Sequence, residues 1–421
     1  MKTTPSGPDG GVRKRPAWRL AGRAALAAVL LGSIGALATA ASATPAAKPT
    51  LHFTLNAPAG YSGAHYALHA RTTALPFRNA PSRKSLAKEA SNGSTVVTSS
   101  ASVIAGQNGT TYGFTIVGGA PWAGGAGTTT ISTQVIPVIV TDGASHDVYD
   151  PTAANGGCGE SVAPVTGMLT GPLLQNRRWY AGSTYVGTDE YTGAQMREEF
   201  WSWAHPGGSS PGYHVRLAGS YPAVDHVTFN GGTELYPGTC NQLEEFPISS
   251  WDSFVQGTLF PALAAYGVNA TTFPVFLFKN VVFTDGGCCI LGYHSAFGSG
   301  GNTYTYGNAD YVTDGLFGAS NDLAVASHEI SEWENDPFVN NPTPPWGHIG
   351  QVSGCQGNLE TGDPLTGTVF AVNGNTTPGS SVPTYHMQEL AFWGWFYDFN
   401  SGVNGWYSSR GTFGSGATLC S

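Results

Sequence analysis

Charge is what this 421-residue chain has least of. Asp, Glu, Lys and Arg together make up 11%, against roughly 25% in an average globular protein. The surface must therefore be polar but neutral. Basic charge is scarcer still after residue 95, where six Lys and Arg face 25 Asp and Glu. That leaves no basic stripe for phosphates and excludes a nucleic-acid partner. No GxxxxGK[ST] loop is present, so nucleotide binding has no support. No two cysteines are spaced as CxxC, which argues against a thiolate zinc site. No internal repeat is visible, which argues against a solenoid or propeller. Long apolar runs are missing too, except for one at the N-terminus.

That single run carries meaning. Arg13, Lys14, Arg15, Arg19 and Arg23 precede the apolar residues 24–40, and Ala41-Ser42-Ala43 supplies small residues for cleavage. Residues 1–43 read as a secretory signal peptide, so the mature protein is expected to be extracellular, with no membrane contact after cleavage. Residues 44–127 are rich in Ala, Gly, Ser, Thr and Pro and read as a linker or pro-segment with short strands such as 111–117. Six basic residues against Glu89 alone make 44–95 a basic leader before an acidic body, either lying on it or solvated.

The remaining span, 128–421, shows patterns of both kinds. The β-branched run 134–141 (QVIPVIVT) closes on Asp142-Gly143 and reads as a central strand, with further strands at 273–283 and 289–297. Helical spacing occurs at 192–204, stopped by Pro206, and at 251–266, capped by Ser249 or Ser250, kinked by Pro261 and ended by Gly267. A third helix is expected over 323–334, between Asn321-Asp322 and Pro337. The class is α+β with a mixed sheet. The six cysteines, Cys158, Cys240, Cys288, Cys289, Cys355 and Cys420, lie in the exported part, where disulfides form. Cys355 and Cys420 are expected to bridge and hold the C-terminus, and the adjacent Cys288 and Cys289 to reach different partners.

The third helix contains His328-Glu329-Ile330-Ser331-Glu332, an HExxE arrangement. Residues four apart share a helix face, so His328 and Glu332 can present an imidazole nitrogen and a carboxylate oxygen to one metal ion. Glu329, about 100° around the axis, stands where HExxH metallopeptidases keep the general base that takes a proton from water. A third ligand is available downstream in NLETGD: Glu360, with Asp363 supporting His328, or Asp363 in its place. The glycines and Pro364 around these two argue against a helix there. His294 is a candidate oxyanion donor above the metal, as is Tyr293. His348 and His386 are further histidines of lesser promise, and Asp336 reads as a cap at the end of the helix. The pairs Glu198-Glu199 and Glu244-Glu245 do not suit glycosidase chemistry, because adjacent side chains do not face each other.

The series GCCILGYHS (287–295), ASHEISEWENDPFVNN (326–341) and NLETGDP (358–364) resembles a group of secreted bacterial proteins related to the plant phosphate-induced, EXORDIUM-like family. The resemblance spans roughly 134–420 and is specific in 287–364. It implies an extracellular, zincin-like α+β domain and peptidase activity, although Glu332 departs from the HExxH of zincins.

Together these readings give a secreted, metal-dependent, peptidase-like hydrolase acting on a peptide or protein substrate or on cell-wall material. Its metal would sit on His328, Glu332 and Glu360, with Glu329 as general base. Zinc is the default ion. The carboxylate-rich set also suits Mn²⁺ or Ca²⁺. The alternative is a non-enzymatic extracellular cell-wall or carbohydrate-binding protein with a structural or relic metal site, in which Trp393, Trp395 and Phe396 would stack on sugars.

Overall fold

In a computed structural model of the chain, the described residues are 50–56, 71–72, 94–123, 127–155, 160–205, 212–220, 224–230, 233–236, 242–313, 315–374 and 383–421. The expected signal peptide, most of 44–93, Cys158 and Cys240 lie outside them. The class is α+β, with strand exceeding helix. A 12-stranded mixed sheet runs through the centre. Its spine is the 15-residue strand Thr128–Asp142, which contains the expected run 134–141. One edge of that strand holds Thr272–Lys279 in parallel. The other serves two parallel strands in succession, His214–Ser220 and then Val224–Asn230, and Thr50–Asn56 pairs in parallel outside the latter. Beyond Thr272–Lys279 comes Asn302–Tyr311, also parallel, and then Ile290–Ser299 runs antiparallel to it.

Alternation along Thr272–Lys279 divides the interior into two cores. Phe273, Val275 and Leu277 join the core that contains Ile330 and Trp333 of the HExxE helix, and Phe273 stacks on Trp333 with ring centroids 3.6 Å apart. Phe276 and Phe278 face the opposite way, onto Trp251, Val255 and Phe260. The expected single strand 273–283 is in fact two, Thr272–Lys279 and Val281–Thr284. Between them Asn280 takes φ 52°, a left-handed conformation that asparagine tolerates better than most residues, and the chain leaves the ladder.

Helix limits shift for similar local reasons. The helix expected over 192–204 breaks at Phe200 into Tyr191–Glu199 and Trp201–Ala204. The one expected from Trp251 begins earlier, at Ile248, with Pro247 rather than a serine at the N-cap. Pro261 does not sit in a plain α-helix. A π-helical segment, Val255–Leu259, precedes it and absorbs the hydrogen bond that proline cannot donate. Gly267 then ends the run at φ 92°. Cys355 and Cys420 are bonded, as expected, 65 positions apart in the sequence. Such a loop constrains the unfolded chain by about 4 kcal/mol. Cys288 and Cys289 are bonded to each other instead of to separate partners, across a cis peptide that brings their Cα atoms to 3.1 Å. Among the described residues no helix is long and apolar enough to cross a membrane.

Candidate metal centre

The HExxE helix, Ala324–Asn335, is buried along all twelve residues. Asn321 O receives the amide of Ala324, and the Asp322 carboxylate receives that of Leu323, so both expected start residues satisfy the first turn. At the far end Asp336 accepts the amides of Asn340 and Asn341 at 3.0 and 2.9 Å, which fastens the turn beyond Pro337.

Two neighbours press on the helix through glycines. On the strand Ile290–Ser299, a Cβ at Gly292 would lie 2.7 Å from Val325 Cγ1 and 2.9 Å from Glu329 Cγ. The missing side chain lets this strand approach closely, and alternation then aims His294, two residues on, at the same helix. Tyr293 points to the other face, among Phe283 and Tyr306, so it does not share the site. On the loop after Asn358, a Cβ at Gly362 would meet the His328 ring at 2.3–2.4 Å. There too only glycine lets the chain pass.

Glu332 stands at the middle of the site that results. Its Oε1 lies 2.8 Å from His328 Nε2 and accepts the Gly362 amide at 3.1 Å. Its Oε2 lies 3.5 Å from His294 Nδ1. His294 Nδ1 is also 3.4 Å from Glu329 Oε2, and Asp363 Oδ1 is 3.5 Å from His328 Nε2. At this site, ligand atoms within 4.8 Å of one another form two groups: His328, Glu332 and Asp363, and His294, Glu332 and Glu360; a third such group, His348 with Cys355 and Cys420, lies at the disulfide. The set His328, Glu332 and Glu360 expected from sequence is not one of them. Glu360 is drawn instead to the His294 side, where Asn358 Nδ2 donates to its Oε1.

Residues that no motif announced hold the arrangement. Gln388 places its Oε1 3.1 Å from His328 Nδ1 while its Nε2 donates to Gly362 O at 2.7 Å, linking helix and loop. Gln351 and Gln356 donate to the Asp363 carboxylate. Single amides far apart in sequence leave no pattern to find.

The electrostatics are unusual for a protein interior. Four carboxylates and two imidazoles share the site, and none is more than 6% exposed. Burial raises the Glu360 pKa most, with Glu332 and Asp363 adding to it. Burial likewise pushes Glu329 to about 7 and Asp363 to about 6. Burial would lower both histidines, but the surrounding carboxylates outweigh it, raising His294 to about 9 and His328 well above its usual value. Glu332 alone is held low, because the two imidazoles overcome its burial. Protons thus supply positive charge that a divalent cation would otherwise bring. His294 Nε2, Glu329 Oε1 and Glu360 Oε2 are buried without a hydrogen-bond partner. Imidazole and carboxylate donors with unmet buried atoms fit a borderline or hard divalent ion.

The other sequence candidates stand elsewhere. His386 pairs with Asp322 at 2.7 Å, and His348 lies 3.9 Å from Cys355 Sγ at the disulfide. Glu198, Glu199, Glu244 and Glu245 are buried structural carboxylates, Glu199 accepting the Trp393 amide at 2.8 Å. Trp393, Trp395 and Phe396 are buried and pack on other rings, so they offer no sugar platform. Comparison with protein families, curated proteins and solved structures returned no match.

Proposed function

We propose that the chain is a metal-dependent hydrolase of peptide bonds, exported from the cell and zincin-like in the use of its HExxE helix, as the EXORDIUM-like resemblance also suggests. The observation that carries this reading is the set His328, Glu332 and Asp363 gathered within 4.8 Å beside a glutamate that belongs to no such group. Those three would hold the ion, with zinc the default and Mn²⁺ or Ca²⁺ compatible with the carboxylates. A cation there supplies Lewis acidity toward a substrate carbonyl and toward water. Glu329 has one oxygen near His294 Nδ1 and the other without a partner, so it is placed to take a proton. Burial keeps its pKa near 7, where a base of this kind works best.

The test separates binding from chemistry. Glu329→Gln is expected to keep the metal, measured by elemental analysis, while hydrolysis of a denatured protein or peptide library falls about 10²–10⁴-fold. Metal lost from this variant, or an unchanged rate, would refute the assignment. One observation favours a second reading, a structural metal site in an extracellular binding protein: every group at the centre is buried, and structural sites are coordinatively closed. Metal present with no hydrolysis in the wild type would establish that reading instead.

A further inference from the structure

We propose that the centre holds two divalent cations bridged by Glu332, one on His328 and Asp363 and the other on His294 and Glu360. This rests on the reading of the cluster as a metal centre, and it makes His294 a ligand rather than the oxyanion donor expected from sequence.

Three observations converge. First, the two groups of ligand atoms overlap in Glu332 alone. Its two oxygens face different imidazoles, Oε1 toward His328 and Oε2 toward His294. A carboxylate divided in this way is suited to bridging two ions. Second, the His294 side is as buried as the His328 side, yet two of its ligand atoms go unmet: His294 Nε2 and Glu360 Oε2 lack hydrogen-bond partners. Hydrogen bonds leave this half of the cluster incomplete, and a bound ion would complete it. Third, two ions balance the charge of the carboxylates without added protons. Histidine must be neutral to coordinate, so Glu329, Glu332, Glu360 and Asp363 bring four negative charges into a water-excluded site. One divalent ion leaves two of these to be neutralised by protons, whereas two ions cancel all four.

The chemical class follows from the donors. Each half offers one imidazole nitrogen and carboxylate oxygens and no thiolate, which favours Mn²⁺ or Zn²⁺ over soft ions. The glycines at 292 and 362 serve one half each, by letting the strand that bears His294 and the loop that bears Asp363 reach the same helix.

The experiment is a Mn²⁺ titration of the metal-stripped full chain, counting bound ions by equilibrium dialysis and recording electron paramagnetic resonance spectra. The wild type is expected to bind two ions and to show a spin-coupled spectrum at saturation. Glu360→Gln and Asp363→Asn should each fall from two ions to one, with the spectrum of an isolated ion. Circular dichroism confirms that the variants are folded, and the wild-type count needs no variant. Saturation at one ion overturns the pair while leaving the proposed hydrolase intact. No binding at all overturns both. Two ions retained in Glu360→Gln overturn the ligand assignment.

Discussion

The HExxE helix and the helical stretch 248–266 pack on opposite faces of the same strand, Thr272–Lys279, and they are buried by different means. Along 248–266 the buried residues are Ile248, Trp251, Val255, Leu259, Phe260 and Leu263, an apolar stripe at helical spacing with exposed residues between. Its one buried charge, Asp252, accepts from Gln256 at 3.0 Å and from the Tyr306 hydroxyl. The HExxE helix is buried all round and carries His328, Glu329, Glu332 and Glu334 inside. Apolar contact explains the first helix. It cannot explain the second, whose ionised groups lose solvation and must be met by opposite charge.

The largest way to break this contrast is to remove the shared anion. Glu332→Ala is expected to destabilise the chain by about 3–5 kcal/mol, the scale for breaking a buried charge pair, and to abolish divalent-metal binding. Asp252→Ala on the other helix should cost about 1–3 kcal/mol, the scale for an unsatisfied buried group, with metal binding unchanged. Urea unfolding and elemental analysis of both variants decide it. Equal costs, or metal retained without Glu332, would erase the distinction.

A pH profile sharpens the contrast from the side of the acidic core. Burial raises Glu190 to about 7 and Glu199 to about 8. The folded chain keeps these protons after the unfolded chain has released them, above about pH 4.5. Their contribution is therefore complete at and below that pH and declines as pH rises through 7 and 8. The urea midpoint should fall between pH 5 and pH 8, and Glu199→Gln should flatten the upper part of that fall. A profile unaltered by this substitution would show that Glu199 does not hold its proton.

The smallest effects come from paired glycine substitutions. Gly362→Ala drives a methyl into the His328 ring and is expected to cost about 1–3 kcal/mol and to weaken metal affinity. Gly257→Ala in the other helical stretch meets nothing within 4 Å and should be neutral or stabilising by up to about 1 kcal/mol. Thermal unfolding and metal titration read both.

How much of this was legible depended on range. The limits of the HExxE helix followed from Asn321, Asp322 and Pro337, because caps and prolines act within one turn. The strand around 134–141 showed in its β-branched run, but its extension from Thr128 did not, since Thr128–Gln134 is polar and is held by pairing with His214–Ser220. The i, i+4 pair His328 and Glu332 was visible because helix geometry alone brings it together. The division of Glu360 and Asp363 between two imidazoles was not. It is set by a loop path through Gly362, where the three-residue spacing carries no face. Gln388 acts from 60 residues beyond His328, a separation no local pattern encodes. Asn280 and the bonded pair Cys288 and Cys289 were missed because each depends on a single backbone angle.

The seven-residue strand Thr50–Asn56 closes one flank of the central sheet, in register with Val224–Asn230 across a separation of 174 residues. A strand on a flank offers unpaired amides and carbonyls to any extended chain it meets. Thr50–Asn56 occupies that position on behalf of Val224–Asn230, whose Val227 and Phe229 are fully buried, and it turns His52, Thr54 and Asn56 outward. Pairing thus moves the open edge of the sheet from Val224–Asn230 to a strand whose outward side chains are polar. Its partner strand is synthesised much later, so Thr50–Asn56 has no ladder to join until Val224–Asn230 emerges.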